Sequence, residues 1–208
     1  MAIAKNGING KFSGKVGSII GYQLGDQNVI RTVGERRKPF SPLEILNQKK
    51  MKVVSNFLAP IRPFIKFGFR REVEKGSRVG AFQLAQSYTR KYAIDIDPEG
   101  EPFVNPEKVL ISKGAVDPPH RCTVLREGNQ ITLQWESAKS GGDHRLTVFL
   151  YDTNMYREFR ELGAQREEER EVWEQSNLHS ANGPIHVYAA FRNLLTEEIS
   201  DSVYCGVI

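Results

Sequence analysis

The sequence predicts a β-rich α+β chain: a glycine-rich N-terminal β-hairpin arm and two basic amphipathic helices, followed by an immunoglobulin- or fibronectin-like β-sandwich. Three observations predict it. Glycine recurs through "GKFSGKVGSIIGYQLGDQNVIRT" between β-prone runs. Two stretches, within 41–58 and 77–94, carry apolar residues at helical spacing. Beyond residue 108 the apolar period shortens, and turn residues separate about seven short strand-like runs.

The arm comes first. "SIIGYQL" and "NVIRTV" read as strands joined at "GDQN". A phosphate-binding loop would need G-x-x-x-x-G-K-[ST] between a strand and a helix; in "GKVG" the lysine follows the wrong glycine, and the flanks read as strands. Glycine inside a strand marks a bulge or the close approach of another backbone. Gly14, Lys15, Val16, Gly17, Ile19, Ile20, Gly21 and Tyr22 are therefore expected to meet another chain segment, and the arm is expected to pair with a second copy.

The helices follow. "SPLEILNQKKMKVVSNFL" opens with Ser41 as N-cap, Pro42 at the first helical position and Glu44 three residues on, a capping box. Leu43, Leu46, Val53 or Val54, and Phe57 form its apolar side. Pro60 and Pro63 interrupt it, and "SRVGAFQLAQSYTRKYAI" forms the second helix, with Ala81, Ala85 and Tyr92 along one side. "DIDPEGEPFVNPEK", residues 95–108, reads as an acidic linker rich in proline. Its start resembles a calcium loop, but Pro106 occupies the place of the final glutamate. The expected division is thus arm and helices (1–94), linker (95–108) and sandwich (109–208).

The expected strands are "VLISKG", "RCTVLRE", "QITLQWE", "HRLTVFLYD", "REVWEQ", "IHVYAAFR" and "DSVYCGVI". Trp135 would sit between the sheets. Cys122 and Cys205 make no metal or redox spacing, and with no export signal in view they are expected as two buried thiols; a disulfide requires export by another route.

Charge is unevenly divided. Residues 1–94 carry 18 Lys+Arg against 5 Asp+Glu, and residues 95–208 carry 11 against 20. Arg31, Arg36, Arg37, Lys38, Lys49, Lys50, Lys52, Lys66, Arg70 and Arg71 form the candidate basic patch. Such a patch is a solvated helix face, a phosphate-binding surface, or a docking face for the acidic half of a neighbouring copy. No catalytic constellation stands out. His120, His144, His179 and His186 form no metal motif, no G-x-S-x-G appears, and the carboxylates of "QREEEREVWE" read as solvated. No enzyme activity, cofactor, metal or small-molecule substrate is expected. No run reaches 18 apolar residues, so no membrane span is expected, and no secretory signal is seen.

"FSGKVG", the following glycine and "VIR", together with "FLAPIRPFIKFGF", "KVLISKG" and the terminal "ISDSVYCGVI", resemble an uncharacterised domain family found mainly in Bacteroidota. The resemblance touches most of the chain; "QLGDQN" departs from the bulky residue that members carry at the hairpin tip. It implies a fold plan, no activity and no catalytic residues. The functional expectation is a structural protein: a self-associating subunit of a virion, tail-like particle or filament, head-to-tail, cytoplasmic or particle-associated. The alternative is a nucleic-acid-binding protein that uses the basic half.

Overall fold

A computed structural model describes residues 2–4, 13–24, 27–35, 38–137, 143–152, 156–176, 178 and 183–208. The chain is α+β, with three helices and four antiparallel sheets among the described residues. It divides into two compact units, residues 1–44 and 45–208. The division therefore falls inside the first helix and not at 95–108, where a linker was expected.

The first unit is a four-stranded sheet. Its strands are β1 (Ala2–Ala4), β2 (Gly14–Val16), β3 (Ile19–Leu24) and β4 (Gln27–Thr32), in the order β1-β4-β3-β2. The expected β3–β4 hairpin is present, and two flanking strands enlarge it. Gly17 opens the two-residue turn between β2 and β3 with φ +58°. A tight hairpin needs positive φ there, and only glycine adopts it without a Cβ penalty.

Helix α1 (Pro42–Leu58) spans the division, and all but its first turn belongs to the second unit. The capping box forms as the sequence predicts: Ser41 N donates to Glu44 Oε2 at 2.8 Å, and Glu44 N donates to Ser41 Oγ at 3.3 Å. Ser41→Ala should lower stability by about 1 kcal/mol, with Ser41→Asp nearly neutral, in paired thermal melts. Only the C-terminal part of the helix is buried, through Val54 and Leu58. Leu43 is 72% exposed, so the expected apolar side does not extend into the first turn. Pro63 sits in the first turn of helix α2 (Arg62–Gly68), where its missing N–H costs nothing. Helix α3 (Ala81–Tyr92) buries Ala85 and Thr89, while Tyr92 points outward, contrary to expectation.

Residues 95–108 are folded. Strands β5 (Ile94–Ile96) and β6 (Pro102–Val104) form a hairpin whose turn is held by Asp97: its Oδ1 accepts from Glu99 N at 3.0 Å and Glu101 N at 2.8 Å. Asn105 then caps a short 3-10 turn, Pro106–Lys108.

Six expected strands appear: β7 (His120–Glu127), β8 (Gln130–Glu136), β9 (His144–Tyr151), β11 (Arg170–Glu174), β12 (His186–Asn193) and β13 (Val203–Val207). A further strand, β10 (Arg157–Arg160), lies between β9 and β11. "VLISKG" forms no strand. Its backbone bonds to scattered partners instead: Ile111 N donates to Ser202 Oγ at 2.8 Å, Lys113 N to Gly68 O at 3.2 Å, and Ser112 O accepts from Ser202 N at 3.0 Å, while Ser112 Oγ donates to Ser200 O at 3.0 Å.

The strands form two sheets, β11-β8-β7 and β10-β9-β12-β13. In the first, β8 and β11 alternate: Ile131, Leu133 and Trp135 are buried while Gln130, Gln134 and Glu136 are exposed, and Glu171 and Trp173 are buried between exposed neighbours. In the second, the central strands β9 and β12 are buried on both faces, which explains why their buried runs are apolar apart from Thr147. Leu146, Val148, Leu150, Val187, Ala189 and Phe191 face the β8 sheet. Phe149, Tyr151, Tyr188 and Ala190 share a second core with Val54, Leu58, Ile61, Ile65, Phe69 and Ala85 of the helical region.

Cys122 of β7 and Cys205 of β13 are joined in a disulfide across the two sheets, with Cα atoms 4.9 Å apart. The expectation of two free thiols is corrected. The linear spacing of the cysteines held no pairing signal; the packing of β7 against β13 across the two sheets brings them together.

Candidate functional site

The arm residues singled out in the sequence are brought together on the first sheet. Register and alternation divide them between its two faces. Gly14 lies opposite Gly21, which lies opposite Ile30, and Val16 lies opposite Ile19. These five residues share one face. Lys15, Ile20 and Tyr22 lie on the other, with Arg31 and Val29. The second face holds the fully buried Val29, and the Arg31 guanidinium lies 5.8 Å from the Tyr22 ring centre. On the first face Val16 is 63% exposed, Ile19 and Ile30 are exposed too, and Gly14 is exposed while Gly21 is buried. β2 is a sheet edge and exposed along its whole length.

The residues of the candidate basic patch are divided between the two units. Arg31 and Lys38 belong to the first unit; Lys49, Lys50, Lys52, Lys66, Arg70 and Arg71 belong to the second. Arg36 and Arg37 lie outside the described residues. Within the second unit several of these charges are met by acidic groups from later in the chain. Lys49 pairs with Glu101, while Arg70 and Arg71 reach Glu197 at 3.2 and 3.7 Å. Arg71 also donates to Thr196 O. The charge asymmetry that suggested docking between copies is thus partly answered inside one chain. Lys50, Lys52 and Lys66 make no ion pair among the described residues.

The acidic run holds what sequence reasoning missed. Arg166 is 1% exposed, its guanidinium 4.2 Å from the Phe191 ring centre. Its Nε donates to His144 Nδ1 at 3.1 Å, and its Nη1 lies 3.4 Å from Asp117 Oδ2. Glu171 is buried, accepting from Arg160 Nε at 2.6 Å and Ala164 N at 3.0 Å. The run was expected to be solvated; Arg166 and Glu171 are interior because each finds fixed partners there. Nothing local distinguishes these two from their exposed neighbours.

The histidines have structural surroundings. His186 Nδ1 lies 3.1 Å from Tyr204 Oη, and His120 Nε2 lies 3.4 Å from Asp117 Oδ2; His179 lies outside the described residues. His144 is held below the ordinary imidazole range, first by burial and next by the Arg166 charge, with Asp143 and Asp117 opposing. Accepting from Arg166 requires a bare Nδ1, so protonation breaks that bond. The folded form takes up its proton at lower pH than the unfolded form. Stability is therefore complete above the unfolded histidine value of about 6.5 and falls as pH drops below it. His186, also lowered by burial, acts in the same direction. Melts taken from about pH 7.5 to 5.5 should show a falling Tm, and His144→Gln should flatten that slope.

No helix among the described residues is long and apolar enough to cross a membrane. No protein-family model matches the chain, and no curated protein matches it. Among solved structures, it is similar to the spore cortex lytic enzyme SleM of Clostridium perfringens, at 19% identity and a TM-score of 0.30. The match covers 45% of this chain and 29% of that one, and it transfers neither fold nor activity.

Proposed function

We propose that the chain is a non-enzymatic assembly protein, a self-associating subunit of a particle or filament, with its N-terminal sheet as the contact. One observation carries this reading: among the described residues β2 is a sheet edge exposed along its length, and Val16, Ile19 and Ile30 stand exposed on the face that also carries Gly14 and the buried Gly21. An exposed edge with apolar neighbours is a template for another strand, and glycines let its backbone come close. The two sheets of the second unit are read as an immunoglobulin- or fibronectin-like sandwich that forms the body. Their shared core, the cross-sheet disulfide and the buried Trp135 support that reading.

Sedimentation velocity at rising concentration tests the proposal. The intact chain should associate; deletion of residues 1–33 should abolish association while the circular dichroism of the second unit persists. An apolar sheet contact should survive high salt, whereas docking of opposite charges would weaken steeply. An intact chain that stays monomeric at high concentration overturns the reading. If it instead binds duplex DNA with a steep salt dependence, the nucleic-acid alternative takes its place, with Lys50, Lys52 and Lys66 as first residues to reverse.

A further inference from the structure

A hollow of about 590 Å³ opens beside α3, lined by Tyr88, Tyr92, Glu107, Lys108 and Tyr204 over a floor that includes Val109. Its volume falls in the range of small-ligand sites. The Tyr88 and Tyr92 rings, one helical turn apart, lie 4.8 Å apart at a tilt of 46°. Tyr204 is fixed from behind by an edge contact to Tyr188 at 5.3 Å and by His186.

The charges around the hollow decide which ligand it suits. Lys108 is committed to Asp95, at 2.7 and 2.8 Å from its two carboxylate oxygens. Glu107, by contrast, makes no ion pair among the described residues. Its charge reaches Tyr204, whose hydroxyl is raised first by burial and then by Glu107. The hollow therefore combines three aromatic rings with one uncompensated carboxylate. A smaller hollow of about 260 Å³ shares Tyr88 and Tyr92 and is lined by Lys91. There the Lys91 ammonium already lies 4.9 Å from the Tyr92 ring centre, so the Tyr92 ring meets a cation within the chain.

We propose that the larger hollow binds a small quaternary ammonium compound, held by the rings of Tyr88, Tyr92 and Tyr204 and by the carboxylate of Glu107. Ring faces attract cations, and a quaternary ammonium is weakly hydrated and asks for no hydrogen-bond acceptors. An anion would face Glu107 with Lys108 already engaged. No local sequence pattern announces a small-molecule partner, because the lining comes from α3, the 3-10 turn and β13, far apart in the chain.

The test is titration of the full chain with choline, followed by the aromatic NMR signals of the tyrosines. The control is 3,3-dimethylbutan-1-ol, which has nearly the same shape and no charge. Choline should saturate in the millimolar range and shift Tyr88, Tyr92 and Tyr204, with the neutral isostere at least about tenfold weaker. Tyr92→Leu and Glu107→Gln, both at exposed positions, should each weaken choline severalfold without changing the melting curve. Tyr204→Phe should bind as the parent does, since the ring and not the hydroxyl makes the contact. Equal binding of the isostere would reduce the hollow to an apolar dent and overturn the proposal. So would a choline response that stays linear to about 50 mM, or saturation by maltotetraose or cellotetraose in place of choline.

Discussion

Replacing Cys122 and Cys205 together by serine should destabilise the second unit by about 4–5 kcal/mol, the loop-entropy value for cysteines 83 residues apart. The bond closes most of the two-sheet body into one loop, so the unfolded chain loses a large share of its freedom. It also ties β13 to β7, strands of different sheets that share no backbone ladder. Urea titrations of the parent and the double variant would measure the loss. Thiol titration in denaturant without reductant should find none in the parent. Two reactive thiols there would show that the bond does not form. A thiol count of zero in protein from its native host would place its working environment outside a reducing cytosol.

Truncation of Trp135 is the second large effect. The side chain is 3% exposed, meets Phe191 edge-on at 5.9 Å, and donates from Nε1 to Arg166 O at 2.9 Å. Trp135→Ala should cost about 3–5 kcal/mol through the cavity alone. It also strips a partner from the carbonyl of Arg166, beside a buried guanidinium, so the loss should fall at the upper end. Trp135→Phe refills much of the volume but leaves that carbonyl bare, and should lie between parent and alanine. Equilibrium unfolding in urea ranks the three. In a Trp173→Phe background, a solvent-like emission maximum for Trp135 would contradict its place in the core.

Local rules made part of this fold legible. The α1 cap needed only Ser41, Pro42 and Glu44, and β8 announced itself by alternation. Where burial depends on partners distant in the chain, the sequence was silent. "VLISKG" has strand composition, yet the N–H groups of Ile111 and Ser112 donate to Ser202, more than half the unit away. Arg166 and Glu171 sit in a run of charges and look like their solvated neighbours. The helical region was assigned to the N-terminal half because charge changes sign near residue 95. Burial follows apolar faces, and those of α1 to α3 are completed by β9 and β12. The glycines of the arm pointed to a backbone approach, and β2 running beside β3 is the approach found within the chain; contact with a second copy is the proposal that extends it.

The buried serine contacts around Ile111 bear on biosynthesis. Ile111, Ser112 and Gly114 are anchored by Ser200, Asp201 and Ser202, and Cys122 waits for Cys205. A nascent chain that has delivered α1 to β12 to the outside of the ribosome still lacks every one of these anchors. The helices would then cover one face of an unfinished sheet whose other elements cannot lock. Closure of the second unit is therefore set by the arrival of its last strand. A chain truncated near residue 195, held on the ribosome by an unstructured spacer long enough to clear the exit tunnel, should present a protease-sensitive intermediate.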